Sequence, residues 1–353
     1  MQSNQVSPAE QLKYDIDSAK RNLNDLINKA SLTTIRDDYS DLDATIANLP
    51  IRIQKIRGRK YAFNKINEKE AEEFQSQWAT KRMMIQNKID LEANALKANL
   101  RPLESRVTSL ILGATSALTV KNVQNELDSY ESRISSAESS LRELYDGIRK
   151  EVEKLKTQLG LVEKTLDHSE TASFGFLPGE SVVMAVMAVW TRDNKEDKTD
   201  PEGILFLTDQ RLLFEQKQQV AKKKVLFVTT ERELVQNLLF ETPVVCIESL
   251  KATKQGLFKN EDWLELQLAS GSFARDAKLH LDGQDSVNWH KLITRVKTRE
   301  IDSDRAFEID KSAVEKARSA PAKCPNCGGA ITKPVLRGMD SITCDFCGNV
   351  IRL

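Results

Sequence analysis

Apolar positions fall into two regimes along this chain. Through roughly the first 170 residues they recur at alternating spacings of three and four. Leu32, Ile35, Tyr39, Leu42, Ile46 and Leu49 step by 3, 4, 3, 4 and 3, which predicts an amphipathic helix. Pro50 is expected to break or kink it, because proline removes a backbone donor and crowds the preceding turn. A longer helix is predicted through Ile53, Ile56, Phe63, Phe74, Trp78, Ile85, Ile89, Leu96 and Leu100. The most regular run is Val120, Val123, Leu127, Tyr130, Ile134, Ala137, Leu141, Leu144 and Ile148, continued by Val152, Leu155, Leu159, Val162 and Leu166. Its departure from a heptad is the pair of fours from Leu144 to Val152, a stutter that locally unwinds a supercoil. A seam of this length predicts a coiled coil. The arm from Val120 to Leu166 is roughly 70 Å long at the helical rise, and Ile51 to Leu100 matches it. Two such arms meeting near Gly113 predict an antiparallel hairpin; a compact four-helix bundle or a parallel dimer would bury the same seam. At the turn, Leu110, Ile111 and Leu112 are adjacent, and one helix face cannot bury all three. Either neighbouring helices or a second chain cover them, or they form an apolar tip that contacts a partner or a bilayer surface.

From residue 171 to about 297 the period shortens. Strands are predicted at Val182–Trp190, Gly203–Leu207, Arg211–Glu215, Val225–Val228, Val244–Leu250, Trp263–Leu268 and Lys278–Leu281. The alternation of Trp263, Glu265 and Gln267 against Leu264, Leu266 and Leu268 marks a half-buried strand. Asp285–Lys297 reads as a helix carrying Val287, Leu292, Ile293 and Val296, with Trp289 beside them. About seven strands and a closing helix predict a small barrel or sandwich plugged by that helix.

Leu177-Pro178-Gly179-Glu180 before the first strand, and the run from Gly203 through Thr208-Asp209-Gln210-Arg211 to Phe214, resemble GRAM and bacterial pleckstrin-homology-like domains. Ile247, Gly256-Leu257-Phe258 and Trp289 extend the likeness to about 120 residues. The resemblance implies a docking fold whose members bind lipid headgroups, bind peptides or act as scaffolds. The loop after the first strand is usually basic in headgroup-binding relatives. Here Thr191–Glu202 sets Arg192, Lys195 and Lys198 against Asp193, Glu196, Asp197, Asp200 and Glu202, so the usual pocket is not expected. A different loop, with Lys217, Lys222, Lys223 and Lys224, is the candidate contact for anionic lipid, at ~1 kcal/mol per lysine. The order of helical, GRAM-like and cysteine-bearing parts is similar to that of bacterial proteins, which implies bacterial origin.

Charge changes the picture little. Lysine plus arginine and aspartate plus glutamate number 52 each, so no global field draws the chain to nucleic acid or membrane. The polar N-terminus shows no signal sequence, and the apolar stretch Val107–Val120 is too short to span a bilayer, which takes about 20 residues. A cytoplasmic protein is expected, with peripheral membrane contact left open.

Cysteine placement carries the candidate chemistry. Cys324-Pro-Asn-Cys327-Gly and Cys344-Asp-Phe-Cys347-Gly are matched knuckles, and Cys246 stands apart in an apolar run read as strand. Two C-x-x-C turns bring four thiolates around one zinc ion, and glycine after each second cysteine suits the left-handed turn position. Redox chemistry would need a helix N-terminus beside the first thiol, and the glycines oppose one. With all four ligands from protein, the predicted Zn2+ is structural, one per chain, in a zinc ribbon too small to fold without it. Lys323, Lys333, Arg337 and Arg352 against Asp340, Asp345 and the thiolates leave the ribbon near neutral with one aromatic, Phe346, so protein contact through Val335, Leu336 and Met339 is expected over nucleic acid. His168, His280 and His290 are scattered, and no catalytic constellation is visible.

The sequence thus predicts four segments: residues 1–170 helical coiled coil, 171–299 GRAM-like domain, 300–322 helical connector and linker, and 323–353 zinc ribbon. The expected function is a non-enzymatic adaptor that oligomerises through the coiled coil and docks on proteins or a membrane. The alternative is a nucleic-acid-associated factor acting through the ribbon.

Overall fold

The computed structural model describes residues 7–353 apart from 192–196, 198, 226–227, 259 and 271, with the backbone alone for the rest of 220–232. It is a mixed helix-and-sheet protein of two compact units: a helical unit of residues 7–51 and 69–156, and a second unit formed by the described residues of 52–68 and 157–353.

Five helices precede the sheet: α1 (Pro8–Lys29), α2 (Thr33–Gly58), α3 (Ile66–Thr108), α4 (Ala117–Glu143) and α5 (Asp146–Glu170). The sequence reading passed over α1. Its start is a capping box, in which the Ser7 hydroxyl accepts from the Glu10 amide and the Glu10 carboxylate accepts from the Ser7 amide. Ile16, Ala19, Leu23 and Leu26 form its buried stripe.

Within the helical unit α2 and α3 run antiparallel. Arg36 pairs with Asp90 at 2.6 Å, and the Trp78 indole donates to Asp43 at 2.6 Å. The turn at residues 109–116, with Gly113 at φ +87°, reverses the chain into α4. Arg106 then faces Glu126, and the Tyr130 hydroxyl reaches the Leu96 carbonyl. The turn near Gly113 is where the seam placed it. The seam residues Val120, Val123, Leu127, Ile134 and Leu141 are buried within one chain, in a helical bundle, so no second copy is needed to cover them. The apolar triple at the turn divides: Leu110 is buried, whereas Ile111 and Leu112 are 62% and 50% exposed.

Three details differ from the sequence reading. Pro50 does not end α2, which continues to Gly58; Leu49 and Ile53 are buried on either side, so packing offsets the missing hydrogen bond. The long helix read through Phe63 is instead broken at residues 59–65, where Lys60 and Asn64 take positive φ. The Arg57 guanidinium replaces the lost helical bonds. It donates to the carbonyls of Tyr61 (2.8 Å), Phe63 (2.6 Å) and Asn64 (3.0 Å) and to Glu68 (2.7 Å). The last arm is also broken, at Leu144-Tyr145, where amides bond three residues back. There Tyr145, at 1% exposure, takes the core position expected of Leu144. A stutter and a break coincide because a three-residue hydrogen-bond step resets the phase of the buried stripe.

A direct test contrasts seam and tip. Leu141→Asp should destabilise the helical unit by about 2–5 kcal/mol from lost burial alone. Ile111→Ser with Leu112→Ser should change it by about 0.5 kcal/mol or less. Urea unfolding followed by circular dichroism separates them; equal shifts would mean that the buried and exposed positions are misassigned.

The second unit contains one seven-stranded antiparallel sheet: β1 (Val182–Thr191), β2 (Glu202–Thr208), β3 (Arg211–Val225), β4 (Val228–Pro243), β5 (Ile247–Gln255), β6 (Glu261–Leu268) and β7 (Asp276–Leu281), in the order β4-β3-β2-β1-β7-β6-β5. The hairpin of β3 and β4 is far longer than the two short strands expected. Lysines, glutamines and glutamates hide its alternation, and Lys217 through Lys224 lie on strand backbone, not in a loop. Cys246 sits in a 3-10 turn, Val244–Cys246, where a strand was expected. Pro243 ends the β3 pairing there, and the turn redirects the chain into β5.

Helix α6 (Ser286–Lys297) is capped by Asp285 and packs over β5 and β6. Trp289, Ile293 and Val296 are its buried face, while Val287 is exposed. The Trp289 indole donates to Gln284 at 2.7 Å, and the Gln284 amide donates to the Ala185 carbonyl at 3.0 Å, tying the helix to β1. Residues before the sheet complete it: the Tyr61 hydroxyl donates to the Val183 carbonyl at 3.1 Å, and the Thr165 hydroxyl accepts from the Ala185 amide at 3.0 Å. After α6 come a 3-10 turn at Glu300–Asp304, α7 (Lys311–Arg318), and the hairpin of β8 (Ser341–Thr343) and β9 (Val350–Arg352). Among the described residues no helix is long and apolar enough to cross a membrane.

Candidate metal centre and the turns that seat it

The two cysteine knuckles fold alike. The Gly328 amide bonds the Cys324 carbonyl at 2.8 Å, and the Gly348 amide bonds the Cys344 carbonyl at 2.9 Å. Both glycines have positive φ, +75° and +70°, a conformation that a side chain would strain. Ile342 and Ile351, from β8 and β9, form with Cys324 and Cys344 a small core, flanked by Ile331, Val335, Met339 and Leu353.

This places all four sulfurs within 4.8 Å of one another. Cys324 Sγ lies 3.7 Å from Cys347 Sγ, and Cys327 Sγ lies 3.7 Å from Cys344 Sγ. Sulfurs at about 2.3 Å from a tetrahedral zinc ion are about 3.8 Å apart, so the donor set fits such an ion. The thiols are electrically uneven. The Asn349 amide draws Cys347 down to about 6, with help from the Cys327 thiol. At Cys327 the Gly329 amide pulls down, but the thiols of Cys347, Cys344 and Cys324 outweigh it and push the group up to about 12. Four thiols crowded this closely compete for few compensating donors; a dication would satisfy all four as thiolates.

The cysteine module is held on the sheet by two turns. Glu180 has no exposed side-chain surface. Its carboxylate accepts from Arg211 Nη2 (2.6 Å) and Nε (2.9 Å), the Thr208 hydroxyl (2.6 Å) and the Leu177 amide (2.7 Å). Thr208 Oγ1 in turn accepts from the Gln210 and Arg211 amides. The adjacent Asp209, also without exposed side-chain surface, accepts from the Ser181 amide at 3.1 Å and pairs with Arg305 and Arg337. Burial pushes its carboxyl above the ordinary range, against the pull of the Arg337 and Arg305 guanidiniums. Gln210 forms a two-point clamp on the module: its amide donates to the Arg337 carbonyl at 3.0 Å and accepts from the Arg337 amide at 2.7 Å.

The cysteines are therefore brought together as their spacing required. The lysines are not shown as a cluster. Lys217 is half-buried and donates to the Thr171 hydroxyl at 2.9 Å, and the side chains of Lys222, Lys223 and Lys224 lie outside the described residues. Arg337 is 5% exposed, which removes one of the ribbon's four cations from any nucleic-acid surface, and Lys333 pairs on the surface with Asp345 at 2.6 Å. Leu257 and Phe258, at the β5–β6 turn, are 93% and 82% exposed; they entered the sequence reading only through the family resemblance, and nothing in the sequence marked them as unpacked. Asp209, Gln210, Arg305 and Arg337 were not read as a group.

No family model matches the chain, and no curated protein does. Similar solved structures include the Vps36 N-terminal PH domain, at 13% identity over 36% of this chain and 85% of that one, TM-score 0.25. Another is a protein with a pleckstrin-homology domain from Shewanella loihica, at 17% identity over 39% and 92%, TM-score 0.22. A third is the DH/PH fragment of PDZRHOGEF in complex with human RhoA, at 12% identity over 78% and 93%, TM-score 0.24. Pleckstrin-homology domains recur among these neighbours, at scores that carry no argument about function.

Proposed function

We propose that this chain is a non-enzymatic, zinc-binding adaptor. Residues 1–170 supply a helical arm, 171–299 a GRAM-like docking domain, 300–322 a connector, and 323–353 a zinc ribbon used for protein contact. The observation that carries the reading is the set of four sulfurs at tetrahedral spacing, with every donor supplied by the protein. Cys324, Cys327, Cys344 and Cys347 would hold the ion, which would supply folding free energy to a module whose core is a handful of side chains. The docking role is supported by the element order, seven antiparallel strands followed by one packed helix, together with the GRAM-like turns described above.

Liposome sedimentation tests the choice between a membrane and a protein surface. Contact through lysines should need anionic lipid and weaken with salt, as the Debye length falls from about 10 Å at 0.1 M. Contact through the exposed pairs Leu257-Phe258 or Ile111-Leu112 should persist in salt and disappear in the matching serine variant. An absence of binding to anionic and neutral vesicles at low salt would leave the protein surface as the docking target.

A further inference from the structure

The turns that seat the cysteine module have the attributes of a specific peptide site. Three separate devices read two consecutive residues. The Asp209 carboxylate and the Gly179 carbonyl (3.2 Å) take the Arg337 guanidinium. Gln210 takes both the N–H and the C=O of the same residue. Gly338 follows at φ +87°, and a Cβ there would lie 2.2 Å from the Pro178 carbonyl oxygen. Side chain, backbone and the absence of a side chain are thus each recognised, and none of these contacts involves a cysteine. Lysine could not reproduce the guanidinium fork, which is planar and offers several donors in fixed directions.

The segment leading to the module is lightly anchored. Helix α7 has no buried residue. Cavities of about 490 Å³ and about 430 Å³ flank it, both lined by Asp302, Ile309, Val314 and Arg318. The module is therefore fixed by its hook more than by its tether.

We propose that the double turn, Leu177–Glu180 with Thr208–Arg211, is a recognition site for an Arg–Gly turn of a protein chain, occupied here by the chain's own Arg337–Gly338. A partner segment presenting the same pair competes with the cysteine module for the site, and its entry releases the module. This assignment does not depend on the metal, so its failure and the failure of the zinc reading are separable by measuring zinc alongside.

The test uses the full-length chain with Arg337→Ala and Gly338→Ala, which empties the site, and a fluorescent peptide of residues 333–340. Anisotropy should show the peptide binding this variant at least about tenfold more tightly than it binds wild type, whose site is filled. Peptides carrying lysine for the arginine, or alanine for the glycine, should bind about tenfold more weakly, and Gln210→Ala in the emptied chain should lose binding to a similar degree. Zinc content and circular dichroism matching wild type establish that the emptied chain is folded. If it is folded and takes up no peptide at about 1 mM, or binds the lysine peptide equally well, the proposal fails. Should the double variant not fold, Arg337→Lys serves instead: proteolysis between residues 305 and 323 should accelerate about tenfold, and an unchanged rate overturns the proposal.

Discussion

Protein purified without chelator should carry one zinc ion per chain, and Cys344→Ser should reduce this to about a tenth or less. Cys344 is buried, opens the second knuckle and belongs to the core with Cys324, Ile342 and Ile351. Serine offers a harder, less readily ionised donor, and three thiolates leave the ion open to water. Zinc contributes about 10–16 kcal/mol to small finger modules, more than a core of this size can replace. Amide exchange in β8 and β9 should therefore rise to the unprotected rate, while the helical circular dichroism stays within error. Substoichiometric zinc in wild type, or β8–β9 protection that survives Cys344→Ser, would remove the structural-metal reading. Chelation of the wild type should reproduce the variant, since both act on the same four sulfurs.

Glu180→Ala should be among the most damaging single changes to the sheet unit. Its carboxylate is buried and receives two donors from Arg211, one from Thr208 and one from the Leu177 amide. Alanine strands the Arg211 guanidinium, whose side chain is 7% exposed. Glu241 still contacts it, but from the half-exposed side. Removing one partner of a buried ion pair costs about 3–5 kcal/mol, most of it from the unpaired charge that remains. Glu180→Gln keeps the shape but leaves the same charge unpaired and turns an NH2 group toward two of the four donors, so it should recover little of the loss. Urea unfolding monitored by tryptophan fluorescence in a Trp78→Phe background reads this unit, since the other three tryptophans, Trp190, Trp263 and Trp289, all lie in it. A loss below about 1 kcal/mol for the alanine variant would show that the network is solvated and not a buried pair.

What could be read from residues alone follows the range of the interaction involved. The cysteine knuckles were legible because a ligand turn is four residues long and its glycines are fixed by backbone geometry. Strands β6 and β7 were legible because buried and more exposed positions alternate along them, β2 because Ile204 to Leu207 is an unbroken apolar run, and α6 because Trp289, Ile293 and Val296 recur at helical spacing. The β3–β4 hairpin was not, since Lys217, Gln218, Gln219 and Gln236 supply no apolar period although their backbone pairs. The break at residues 59–65 was hidden for the opposite reason. Phe63 falls on the helical period, yet its burial belongs to a loop that Arg57 holds through carbonyls. The seat of the cysteine module was invisible because Gln210 and Arg337 are 127 positions apart. Thr208-Asp209-Gln210-Arg211 carried the family resemblance, and the structure shows those residues bound up in two carboxylate networks, those of Glu180 and Asp209.

The hydrogen bonds from Tyr61 and Thr165 to β1 bear on the order in which the protein is made. Both residues leave the ribosome before any strand exists, so a nascent chain has the anchors for Val183 and Ala185 in hand when β1 emerges. Arg337 lies at the other extreme, 128 positions after Asp209. A premature stop anywhere between residues 306 and 336 would deliver a sheet whose Asp209 keeps Arg305 and lacks Arg337. Such a product would carry a buried carboxylate with one of its two cations, a built-in mark by which an incompletely synthesised molecule differs from a finished one.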